Sequence, residues 1–81
     1  MQKSIHNQSQ LKLQGLLREV REEAKLKQEE VAKKLRRPQS FVSKIESGER
    51  LLDILELRQV CHALGTTLPD FVSRLEKRLP R

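Results

Sequence analysis

The chain has 81 residues, 17 Lys and Arg against 11 Asp and Glu, and a formal net charge of +6. Its single cysteine, Cys61, excludes an internal disulfide framework and a multi-cysteine metal site, and suits a reducing cytosol. No apolar run approaches the ~20 residues that span a bilayer, and Phe41 and Phe71 are the only aromatics, too few for the stacking platform of a single-strand nucleic-acid binder.

What remains is one small, basic domain. A positive balance favours an anionic partner, nucleic acid first, and without a stacking platform the duplex is the better nucleic-acid reading. The N-terminal stretch "MQKSIHNQSQ", residues 1–10, lacks the apolar core of a secretory signal. It reads as a flexible polar tail containing His6, ahead of a domain over residues 11–79.

Strand signals are nearly absent, and helical spacing accounts for the rest of the chain. The first helix is predicted from about Ser9 to Lys25, where Leu13, Leu16, Leu17, Val20 and Ala24 make one apolar stripe. Gly15 weakens its early turns by roughly 1 kcal/mol. A short second helix covers Gln28 to Leu35, with Val31, Ala32 and Leu35 turned inward. Pro38 disfavours the helical region for the residue before it, so "RRP" reads as a turn. The third helix runs from Gln39 to Ser47, with Gly48 placed to end it. The fourth starts after Asp53, and Glu56 three residues on completes a capping-box pattern. Ile54, Leu57, Val60, Cys61 and Leu64 form its expected buried stripe, and Gly65 closes it. The fifth begins near Thr67 with Pro69 in its first turn, and Phe71, Val72, Leu75 and Leu79 share a side. The expected fold is therefore all-α with five helices.

The second and third helices, joined by a tight turn, have the outline of a helix-turn-helix. Such a pair crosses closely, and Ala32 supplies the small residue that the crossing needs. Val42 and Ile45 anchor the third helix, while Gln39, Ser40, Ser43 and Lys44 project away from them. A Gln amide matches adenine N6 and N7 in the major groove, Lys44 suits guanine or a phosphate, and the serines donate or accept. Gln39, Ser40, Ser43 and Lys44 are the candidate base contacts. Lys33, Lys34, Arg36, Arg37 and Lys44 lie between Val31 and Ile45 with no acid among them. Of the basic residues here, Lys33, Arg36, Arg37 and Arg50 are expected to neutralise phosphates. Gln28, opening the second helix, is placed to meet a phosphate at a positive helix end. Phe41 fits the edge of the core, or a contact with a thymine methyl or the DNA backbone.

The stretch "LREVREEAKLKQEEVAKKLRRPQSFVSKIESGERLLDILELRQVCHALG" resembles the Cro/C1-type (XRE) helix-turn-helix family. The matching residues are Leu17 and Arg21; Gln28, Val31, Ala32 and Leu35; Val42, Ser43, Ile45, Glu46 and Gly48; and Leu57, Val60, Ala63, Leu64 and Gly65. The resemblance covers about residues 11–78 and implies a five-helix, lambda-repressor-like domain. It places the family's base-reading positions on Gln39, Ser40, Ser43 and Lys44, and its phosphate-binding glutamine on Gln28. It implies a homodimer on a pseudo-palindromic double-stranded operator, with the last helix, through Phe71, Val72 and Leu75, as dimer contact. Three residues depart from the pattern: Arg36 where glycine is common, and Pro38 and Lys27 where Ser or Thr caps are common.

The function implied is a transcriptional regulator, a repressor acting by operator occupancy. A restriction–modification controller protein fits the same size. The alternative from another class is an antitoxin-type module that binds a toxin and autoregulates its operon. Nothing points to an enzyme: there is no glycine-rich phosphate loop, nucleophile elbow or zinc spacing. The adjacent Cys61 and His62 point about 100° apart on a helix, so no metal and no cofactor is expected.

Overall fold

A computed structural model of the protein describes residues 7–80. Five helices follow one another: α1 (Gln8–Glu23), α2 (Gln28–Leu35), α3 (Gln39–Ser47), α4 (Ile54–Ala63) and α5 (Leu68–Arg78). There is no strand among the described residues. α1 begins inside the stretch expected to be tail, because Asn7 caps it by accepting the Gln10 N–H at 2.7 Å. His6 and the rest of residues 1–6 lie outside the described residues.

Helix ends are set by local chemistry. Asp53 and Glu56 form the predicted reciprocal capping box: Asp53 accepts the Glu56 N–H at 2.7 Å and Glu56 accepts the Asp53 N–H at 3.1 Å. Thr67 caps α5 through the Asp70 N–H. Lys27 stands at the α2 N-cap without a side-chain cap, but Glu30 accepts its N–H at 2.7 Å. α1, α2 and α4 close with paired backbone bonds around a left-handed residue, respectively Lys25, Arg36 and Gly65. Arg36, at φ 57 and ψ 43, thus occupies a conformation that glycine adopts without strain. Gly48 closes α3 at φ 88, and a side chain there would also collide with the buried Gln14 amide of α1.

One core joins all five helices. Leu16, Leu17 and Val20 of α1 meet Val31 and Ala32 of α2 and Phe41, Val42 and Ile45 of α3. Leu57, Val60, Cys61, Ala63 and Leu64 around α4, and Phe71 of α5, complete it. α2 packs on α3, as a helix-turn-helix requires, and α1 backs α3 while α4 backs α2. Two expected core residues fall outside it. Ala24 is exposed because α1 ends at Glu23, and Leu26 packs on the core instead. Ile54 is exposed at the first turn of α4, whereas Leu52 just before it packs against the core. Cys61 is fully buried, and burial pushes its thiol up to about 11.

α5 is fastened back onto α1 by charge as well as by Phe71. Arg74 donates to Glu19 and Glu23 at 2.9–3.0 Å, and Arg78 donates to Glu19 at 2.6 and 3.0 Å. The paired guanidiniums hold both carboxyls below the ordinary range, Arg78 chiefly at Glu19 and Arg74 chiefly at Glu23. These pairs are largely solvent-exposed and contribute little each.

Candidate nucleic-acid interface

α3 has two unlike faces, and the reason lies in its sequence. Phe41, Val42 and Ile45 are buried, which turns Gln39, Ser40 and Lys44 outward into solvent. Ser43 sits at the boundary, partly buried. The four candidate base contacts therefore border one side of a helix whose other side is locked into the core. Pro38, in extended backbone, is the N-cap and brings no side-chain hydrogen bond, so the start of α3 is free of a capping side chain.

Beneath this face runs a chain of polar contacts. Arg21 of α1 grips Glu46 of α3 with two bonds, Nε to Oε2 at 2.6 Å and Nη2 to Oε1 at 3.1 Å. Its remaining arm donates to the Leu26 carbonyl at 2.8 Å. Glu46 Oε1 also accepts from Gln28 Nε2 at 3.0 Å, and Gln28 Oε1 accepts from Gln39 Nε2 at 3.4 Å. The chain ties the outward Gln39 to a buried charge pair. Gln39 keeps one N–H and its carbonyl oxygen free of that chain, the donor and acceptor that a bidentate bond to adenine uses. Gln28 likewise retains one amide N–H beside the start of α2. The sequence pattern included Arg21 and Glu46 without giving them a role. Opposite charges twenty-five residues apart carry no local signal of pairing.

The basic residues do not all fall where charge counting put them. Lys33 and Lys34 are exposed on α2. Arg36 is exposed but lies beside α4, lining a shallow crevice with Lys34, Leu35, Gln59 and His62. Arg37 lies over the Phe41 ring, 4.4 Å from its centre, and reaches Glu56 at 3.6 Å while staying well exposed. Arg50 lies at the α3–α4 connection and is partly exposed. It donates to both Glu56 carboxylate oxygens, at 3.1 and 2.8 Å, and to the Leu51 carbonyl at 3.0 Å. It also lies over the Phe41 ring, 4.8 Å from its centre. Its hydrogen bonds brace the α3–α4 connection against the capping carboxylate of α4. Glu56 is pulled down to about 2, first by Arg50, then by the Asp53 N–H.

Phe71 is fully buried in the monomer core and presents no surface to a partner. Val72 and Leu75 are partly buried, and Leu75 already packs against the core. Among the described residues no cluster of His, Cys, Asp and Glu could hold a metal, and no helix is long and apolar enough to cross a membrane.

A helix braced across a short turn by α2, with a polar, basic outer face, defines a helix-turn-helix DNA-binding protein. The Helix-turn-helix family profile matches residues 17–71. Among solved structures, an XRE-family like protein from Pseudomonas syringae pv. tomato str. DC3000 is 44% identical, with a TM-score of 0.85 over 95% of this chain and 94% of that one. The wild-type restriction–modification controller protein C.Esp1396I is 25% identical, with a TM-score of 0.81 over 89% of this chain and 95% of that one. The clp gene regulator ClgR from C. glutamicum shares the fold, at 24% identity and a TM-score of 0.79 over 93% of this chain and 97% of that one. No match was found among curated protein sequences. The chain belongs to the Cro/C1-type (XRE) helix-turn-helix family, whose members are DNA-binding transcription regulators.

Proposed function

We propose that the protein is a dimeric repressor that recognises a specific double-stranded operator and acts by occupying it. The observation that carries this reading is the outer face of α3. Gln39, Ser40 and Lys44 are exposed together, Ser43 borders them, and Gln39 is steadied by Gln28. These four side chains read base edges, and Gln28, Lys33, Arg36, Arg37 and Arg50 bind phosphates. In a dimer the two α3 helices enter successive major grooves ~34 Å apart. Occupancy of a promoter then excludes polymerase. The likeness to C.Esp1396I favours a second, narrower reading within the same class, a controller of restriction–modification genes.

Selection of bound sequences from a random duplex library tests the proposal. The expected result is a pseudo-palindrome with half-sites about one helical turn apart. Sequence-blind binding, or none at physiological salt, overturns the operator reading and directs attention to a protein partner such as a toxin.

A further inference from the structure

Three charged groups gather on one ring of the reading helix. The guanidiniums of Arg37 and Arg50 lie 4.4 and 4.8 Å from the centre of the Phe41 ring, and Glu56 is the carboxylate within reach of both. Phe41 follows Ser40 directly in α3, so both cations are tied to that helix. Arg37 comes from the turn before α3 and Arg50 from the segment after it. Two like charges on one ring repel, and Glu56 offsets that repulsion. The two arginines are similarly open to solvent, 42% for Arg37 and 37% for Arg50, but they are not similarly held. Arg37 stands 3.6 Å from Glu56, beyond hydrogen-bond distance. Arg50 donates to both Glu56 oxygens, at 3.1 and 2.8 Å, and to the Leu51 carbonyl. Either guanidinium suits a phosphate, but Arg50 must first give up a bidentate carboxylate.

We propose that Glu56 is a positioning residue for DNA discrimination: it holds Arg50 back from random DNA and yields it to a backbone phosphate only when α3 is seated on its chosen sequence. The proposal rests on the reading of α3 above and assigns the acid that sets two of its phosphate contacts apart. Arg37, loosely held, meets phosphates on any duplex. A complex on random DNA is held by non-directional charge, and no one phosphate stays opposite Arg50. Once Gln39, Ser40, Ser43 and Lys44 fix the register, a phosphate near the end of α3 is held in one place. The exchange is then intramolecular and runs at a high effective concentration. Glu56 keeps its footing when Arg50 leaves, because the Asp53 N–H still donates to it at 3.1 Å. The lock is fixed to the backbone of α4 and the arm that it holds is free to move.

Salt titrations of affinity on the selected duplex and on a random one test this. Glu56→Gln removes the charge and keeps the cap, because Gln serves at that position of a capping box as Glu does. Glu49→Gln is the control: it makes the same change in net charge beside Arg50, at an exposed residue that accepts from Ser47. Arg50→Ala leaves the capping box intact and reads the same contact from the other partner. Circular dichroism checks that each variant is folded at the assay temperature. Glu56→Gln is expected to bind the random duplex about eightfold more tightly at about 0.1 M salt and to steepen its salt slope by about 0.9, the share of one phosphate. Its slope on the selected duplex stays at the parent value, so the preference for that duplex falls. Glu49→Gln is expected to shift both duplexes alike. Arg50→Ala is expected to lower the slope on the selected duplex by about 0.9 and to leave the random slope unchanged. A Glu56→Gln gain equal on both duplexes, a gain no larger than that of Glu49→Gln, or an Arg50→Ala loss equal on both overturns the assignment to Glu56 and leaves the repressor reading standing. A parent chain that selects no sequence overturns that reading and this proposal with it.

Discussion

Cutting the charge pair under the reading helix is expected to cost more than any other single polar substitution. Arg21 and Glu46 side chains are only 11% and 7% exposed, and they share two hydrogen bonds. Glu46→Ala leaves the Arg21 guanidinium largely out of water with only the Leu26 carbonyl to bind. Removing one partner of a buried pair costs about 3–5 kcal/mol, and the residual exposure of Arg21 favours the lower end, about 3 kcal/mol. A small domain has a total stability of only about 5–15 kcal/mol. For a domain of this size the loss corresponds to a fall in Tm of roughly 12–24 °C. Urea unfolding followed by circular dichroism gives the number directly, provided the m-value is unchanged. The double variant Arg21→Met, Glu46→Leu is the informative control. Removing both charges relieves the orphaned guanidinium, so the double variant is expected to be more stable than Glu46→Ala alone. A Glu46→Ala loss under about 1 kcal/mol, in the range of surface substitutions, refutes the buried-pair account, as does a double variant no better than the single one.

Other consequences follow from the turns and the charges. Arg36→Gly removes a non-glycine residue from the left-handed region, and after allowing for the added freedom of the unfolded chain it is expected to stabilise by about 0.5–1 kcal/mol, read from the urea midpoint. Glu56 is depressed from 4.5 to about 2 in the folded protein, so its contribution is fully present above about pH 4.5 and drains away as pH falls toward 2. Glu56→Gln is therefore expected to lie below the parent in stability at neutral pH and to converge on it in acid, as measured by thermal melts across that window. Arg37→Ala is expected to weaken specific and random DNA alike and to lower the salt slope of binding by about one unit, and an unchanged slope removes Arg37 from the phosphate contacts.

Most of the fold was legible because its signals are local. The limits of α2 and α3 follow from Pro38, Gly48 and the apolar spacing between them, and both helices lie where those residues placed them. The capping box at Asp53 and the start of α5 near Thr67 were equally plain. What escaped depends on how the helices pack on one another. The bond of Arg50 to Glu56 appears only once the α3–α4 connection is folded, and Phe71 is covered only once α5 docks on α1 and α4. Apolar periodicity marks the side of α5 that is buried but does not say whether its own chain or a second copy buries it. Ile54 shows the converse: it belongs to the α4 stripe by angle, yet the core ends before reaching it.

The central claim is that the outer face of α3 reads bases, and repeating the duplex selection with Gln39→Ala tests it most directly. The account predicts that preference relaxes at one base pair in each half-site, with a loss of about 1–3 kcal/mol there and the remaining positions unchanged. Identical preferences at every position, or an equal loss on selected and random DNA, would contradict it.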